Sequence, residues 1–164
     1  MEVFRAGGIA FRAYHIVDEK VAPEQAREWI ADANLVRLAG GPTLTQIANI
    51  RFYGLIEPLC ERDGLTIGMS AGSINMARRV VYARDVREDV FETSVYEGIG
   101  LVEINIEPHL NEADEEHLAD IREAARIAPI LGLYDDAFVV VRNGRVAIHG
   151  THEWFDERDN PDLV

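Results

Sequence analysis

Cysteine is almost absent from this chain. Cys60 stands alone among 164 residues, so no internal disulfide can form. There is also no Cys/His cluster of the kind that holds structural zinc, and neither a metal nor another cofactor is expected. Long apolar runs are missing. Those present are short and interrupted, well below the roughly 20 residues a membrane span requires, and no secretory-type segment is visible at the start. Positive charge is scarce: 16 Lys and Arg against 29 Asp and Glu leave a net charge of −13. That balance disfavours nucleic acid and anionic membrane surfaces as partners, because phosphate binding needs a basic surface. A cytoplasmic location is the resulting expectation.

The remainder is ordinary globular material, 48% hydrophobic and 27% charged, and long enough to bury one core. A single domain spanning 1–164 is expected, without repeats. Apolar runs alternate with helical patterns, which predicts an α/β fold with a mostly parallel sheet flanked by helices. "IAFRAYHIV" (9–17) reads as a strand, 22–33 as a helix with Pro23 in its first turn, and "NLVRLAGG" (34–41) as a strand ending in paired glycines. A helix over 43–62 offers Leu44, Ile47, Leu55, Ile56, Leu59 and Cys60 to the core. The strand "LTIGMS" then runs into a helix, "AGSINMARR". Beyond it come a strand over 102–110, a helix over about 114–127 whose acid-rich start suits the helix dipole, and a strand over 130–136. Two further β runs (138–150) meet at Asn143–Gly144, the favoured two-residue hairpin turn. The polar tail after Gly150 is expected to pack loosely.

"GMSAG" (68–72) raises the chemical question. Serine before a helix is most often a cap, but small neighbours on a strand–turn–helix also make a nucleophile elbow. Three strands end in Ser70, in His109 and in Asp135–Asp136, and a fourth ends in Gly40–Gly41. Ligand sites of open α/β sheets lie beyond such carboxyl ends. Acyl transfer needs these residue types together: a hydroxyl nucleophile, an imidazole to take its proton and a carboxylate to orient the imidazole. Backbone N–H groups must also face the oxyanion. The N–H of Ala71 and one from Gly40 or Gly41 are the candidates.

"LAGGPT" (38–43), "GMSAGS" (68–73), "IEPHL" (106–110) and "GLYDDAFVVVRNG" (132–144) together resemble the successive motifs of the aspartyl dipeptidase (peptidase E) and cyanophycinase-like serine peptidases. The resemblance runs from about residue 9 to 155. It implies a class I glutamine amidotransferase-like fold, Ser70 as nucleophile, His109 as base, and Gly41 and Ala71 as the oxyanion hole. It implies either Asp135 or Asp85 as the third member, Asp135 being preferred because a strand-end carboxylate lies in the layer of His109. Thr43 and the position of His117 fall on the substrate-binding part of the pattern. A small peptide is the implied substrate, and a homodimer is compatible with it.

The chain departs from that pattern at four places. Pro42 replaces an asparagine, Glu107 replaces Asp or Asn before Pro–His, and His117 stands where the dipeptidases carry an arginine for the substrate aspartate. Arg122 and Arg126 are close but in another helical register. The family's opening strand–helix–strand portion has no counterpart before "IAFRAYHIV". These readings lead to a serine peptidase that cleaves a dipeptide or isopeptide through an acyl-enzyme but handles acidic substrates poorly. The alternative is a catalytically silent binding or oligomerisation domain of the same family. An α/β-hydrolase esterase fits less well, because its order of Ser, acid, His differs from Ser, His, acid here. A glutamine amidotransferase would need cysteine at the elbow.

Overall fold

A computed structural model describes residues 2–158. Helix α1 (Glu2–Ala6) is followed by an irregular stretch that leads to α2 (Pro23–Asp32). The strand expected over 9–17 is not there. The stretch has no ladder partner among the described residues, and Ile9, Tyr14 and Ile16 all remain exposed. Side chains hold it instead. His15 stacks on Trp29 with ring centroids 4.2 Å apart, and Val17 packs on the core. An extended run with no neighbour to take its N–H and C=O groups is not fixed as a strand.

Strand β1 (Leu35–Leu38) pairs in parallel with β2 (Leu65–Gly68), from Leu35 opposite Leu65 to Leu38 opposite Gly68. The single helix expected between them is two, α3 (Thr43–Phe52) and α4 (Ile56–Glu61). They part at Gly54, whose φ of 66° is the left-handed conformation that stops a helix. Ile47, Leu55 and Leu59 enter the core with Ala26, Val36, Leu38 and Ile50. Leu44 and Cys60 do not; both are exposed.

Helix α5 (Ala71–Ile74) is shorter than the sequence suggested, because Asn75 ends it. The Asn75 side chain is wholly buried. It donates to Thr43 O and Gln46 Oε1, each at 3.0 Å, and accepts from the Tyr96 hydroxyl at 2.9 Å. A buried amide with its groups paired fixes the chain's path. The following β-branched run forms β3 (Arg79–Tyr82), antiparallel to β4 (Ser94–Glu97). Short as it is, α5 packs against β1, β2 and β5 (Asn105–Pro108), and so links the two parallel pairs.

Strand β5 pairs in parallel with β6 (Ile130–Leu133), and α6 (Glu115–Ala125) makes the crossover. Asp114 caps α6 by accepting the His117 N–H at 3.1 Å, with Glu115 and Glu116 in the first turn. Strands β7 (Phe138–Arg142) and β8 (Arg145–His149) form the expected hairpin. Its turn residues, Asn143 and Gly144, have φ of 52° and 72°, as a type I′ turn demands. The tail is not loose up to Arg158. Strand β9 (His152–Phe155) adds antiparallel to β6, and Phe155 is 2% exposed, a burial worth about 2–3 kcal/mol. The last part of that tail, 159–164, lies outside the described residues. The result is an α/β fold whose parallel pairs carry the strand ends of interest.

Candidate active site

Gly68, Ser70 and Gly72 form the bend between β2 and α5, and steric arithmetic explains the glycines. A Cβ on Gly68 would meet Met76 Sδ at 2.6 Å and Gly72 O at 2.7 Å, and one on Gly72 would meet Leu38 Cβ at 2.7 Å. Only glycine lets α5 sit this close to β1. Between them Ser70 adopts φ 50°, ψ −120°, a conformation costing about 1–3 kcal/mol for a residue with a side chain. It is no ordinary cap, since its side chain makes no capping hydrogen bond. A Cβ on Gly40 would lie 3.2 Å from Ser70 Cβ, so the Gly40–Gly41 turn passes directly beside the serine. Gly41 has φ 132°. Ala71, almost fully buried, supplies the first N–H of α5, one of the donors a helix start leaves without an internal acceptor.

His109 follows β5 and is also strained, with φ 59°. Of the four non-glycine residues with positive φ among the described residues, two are turn residues, Asp89 and Asn143; the other two are Ser70 and His109. Both of these line one cleft of about 140 Å³, together with Ile74, Tyr82, Asp85, Arg87, Glu88, Glu107 and Pro108. His109 Nδ1 lies 2.6 Å from Asp135 Oδ1, which leaves Nε2 as the ring nitrogen for a substrate or for Ser70. Parallel pairing of β5 with β6 puts Pro108 opposite Leu133, and this brings the two strand ends together.

Asp85 has a different neighbourhood. It caps the 3₁₀ turn Val86–Glu88, is 9% exposed, and binds Arg87 with both oxygens at 3.0 and 3.1 Å. Burial opposes its charge, but hydrogen bonds from the Arg87 side chain and backbone outweigh that and hold its carboxyl below the usual range. Asp85 is a buried wall residue of the cleft.

Thr43 and His117 stand behind that wall, each with a protein partner. Thr43 is 2% exposed and donates to Glu88 Oε2 at 3.3 Å. His117 Nε2 meets Glu107 Oε1 at 3.1 Å, with both side chains nearly buried. The hydrogen bond to Glu107 raises the His117 pKa against the pull of burial, while burial pushes the Glu107 carboxyl up against the hydrogen bond from His117. The sequence reading missed Tyr82, Arg87 and Glu88 as cleft residues. A cue was available in "ARDVRED": an aspartate able to cap a turn, followed by alternating charges beside a β-branched run.

The family model for peptidase family S51 matches residues 1–149. The chain belongs to peptidase family S51. Among its S51 relatives, the peptidase E of Citrobacter koseri is 28% identical over 155 residues, covering 87% of this chain and 64% of that protein. The peptidase E of Salmonella arizonae is 27% identical over 161 residues, covering 91% and 67%. The chain thus spans about two thirds or slightly less of the curated relatives it matches. A crystal structure from Listeria monocytogenes EGD-e, which bears a provisional peptidase E name, superimposes with a TM-score of 0.64 at 18% identity. It covers 79% of this chain and 65% of that one. This likeness shows a shared fold, consistent with the class I glutamine amidotransferase-like arrangement. No helix among the described residues is long and apolar enough to cross a membrane.

Proposed function

We propose that this S51 chain is a serine peptidase that cleaves a small peptide or isopeptide through an acyl-enzyme. The observation that carries the reading is that His109, whose Nδ1 meets Asp135, lines the same cleft as the strained Ser70. In this reading Asp135 accepts the Nδ1 proton and so fixes the tautomer whose Nε2 is basic. Ser70 Oγ attacks the carbonyl carbon of the scissile bond while His109 Nε2 takes its proton. The oxyanion forms against the N–H groups of Ala71 and Gly41. Collapse breaks the C–N bond, and the departing amine takes the proton from His109. Water, deprotonated by the same imidazole, then releases the acid and restores Ser70.

The test is covalent. A fluorophosphonate probe should label Ser70 in wild type and not in Ser70→Ala, and a peptide substrate should be hydrolysed only by the former. The second reading, a silent binding domain, draws on the openness of the pair: the side chains of His109 and Asp135 are 65% and 83% exposed. Water so near a triad weakens its electrostatics. A folded sample that refuses the probe would favour that reading.

A further inference from the structure

We infer that the cleft beside Ser70 selects a substrate bearing a positive charge, an ammonium or guanidinium group in the side chain of the residue being acylated, and that Glu88 receives it. The inference rests on the serine-peptidase reading and adds the substrate class. Three carboxylates, Asp85, Glu88 and Glu107, line the cleft against one guanidinium, Arg87. That guanidinium is already committed. Nε and Nη2 donate to the two oxygens of Asp85, and Nη1 donates to Asp114 at 2.8 Å. Its charge is therefore offset from two sides, and its flat donor edge faces protein rather than substrate. An acidic substrate group would have to displace a bidentate pair to reach it.

Each carboxylate has its own standing. Asp85 is held by Arg87, and Glu107 by His117. Glu88 differs because its partners carry no charge. The Tyr82 hydroxyl donates at 2.6 Å and the Thr43 hydroxyl at 3.3 Å, both to Oε2. Two neutral donors orient a carboxylate without cancelling it, and both engage Oε2 of a residue that lines the cleft. Tyr82 is itself buried, so the carboxylate is braced from the core side, as a specificity group must be. A cation docking there meets an oriented acceptor, and an acidic group meets like charge, which costs binding and disfavours the wrong partner.

The experiment compares lysyl-alanine with norleucyl-alanine, which differ only in the terminal ammonium, each with a free and an acetylated α-amine. Glutamyl-alanine is the acidic member. Hydrolysis is followed on wild type and Glu88→Gln, and binding of the same dipeptides is followed calorimetrically on Ser70→Ala. Glutamine keeps an acceptor for Tyr82 and Thr43, so the variant removes charge rather than structure. Wild type should favour the cationic over the neutral partner by about tenfold or more in kcat/KM, mainly through KM, and added salt should erode the preference. Glu88→Gln should reduce that ratio to about two or less. The preference should survive acetylation of the α-amine, a group the two dipeptides share, and its loss on acetylation would overturn the assignment to the side-chain cation. Equal use of both partners, or a preference that Glu88→Gln leaves intact, overturns the inference. If Ser70 takes no probe and nothing is hydrolysed, the serine-peptidase reading fails, and the calorimetric ratio on Ser70→Ala still decides whether Glu88 selects a cation.

Discussion

His109 Nδ1 and Asp135 Oδ1 are 2.6 Å apart, whereas Asp85, on the wall of the same cleft, gives both carboxylate oxygens to Arg87. One acid meets the imidazole, and the other anchors a turn. Asp135→Asn should lower kcat by about 10²–10³, somewhat less than the roughly 10⁴ seen when a fully buried triad aspartate loses its charge, because Asp135 is open to solvent. Its melting temperature should hardly move. Asp85→Asn should do the opposite, costing about 1–3 kcal/mol of stability through its weakened hold on Arg87, with a smaller loss of kcat. Parallel kinetics and thermal melts on the two variants check this, and the reverse ranking would transfer the orienting role to Asp85.

The strain at Ser70 has a thermodynamic signature separate from catalysis. With φ 50° and ψ −120°, alanine at this position keeps the penalty and glycine releases it. Ser70→Gly should therefore be more stable than Ser70→Ala by about 1 kcal/mol, although both lack the hydroxyl and neither should turn over substrate. Denaturant unfolding of the pair measures the difference. Equal stabilities would mean that the bend is relaxed in solution.

Gly72 gives a sharper structural test. A methyl group there collides with the backbone carbonyl and Cβ of Leu38, neither of which is the free end of a side chain. Gly72→Ala should push α5 away from β1, cost about 2 kcal/mol or more, and lower probe labelling of Ser70. At Gly41 an added Cβ finds open space, but φ 132° still strains any other residue, so Gly41→Ala should cost less, about 1 kcal/mol. Melts of both variants, run beside labelling yields, separate crowding from conformation.

Much of this was legible in the sequence because local signals agreed. Asn143–Gly144 specifies its hairpin without help from the rest of the chain, and β1, β2, β5 and β6 stand where short apolar runs end in glycine, serine, proline or acid. The meeting of His109 with Asp135 follows from the parallel pairing of β5 with β6, which brings their carboxyl ends to one side. What escaped reading depends on partners distant in sequence. The 9–17 run has strand-like composition but no ladder partner among the described residues. β9 was hidden in a polar tail because only Phe155 is buried. Arg87 and Glu88 look like solvent-facing charge until the 3₁₀ turn folds them over the cleft, against Tyr82 and Asp114. The position of His117 was expected to meet substrate, and its ring instead faces Glu107.

That last contact makes stability depend on pH in a defined direction. The hydrogen bond with Glu107 raises the folded His117 pKa above its unfolded value of about 6.5. A group with a raised folded pKa contributes stability that is complete below the unfolded value and is lost as pH climbs through the folded one. Burial also raises Glu107, so the folded pair holds on to protons that the unfolded chain gives up sooner, and the two effects share a sign. Wild type should thus lose stability as pH rises above about 6.5 and through the raised folded pKa of His117, relative to His117→Gln, which keeps a donor for Glu107 but cannot titrate. The readout is unfolding free energy at each pH, with the His117 ring followed by NMR. A wild-type curve parallel to that of His117→Gln would show that the pair holds no extra proton in the folded protein. His117 would then be a neutral hydrogen-bond donor, packed behind the cleft.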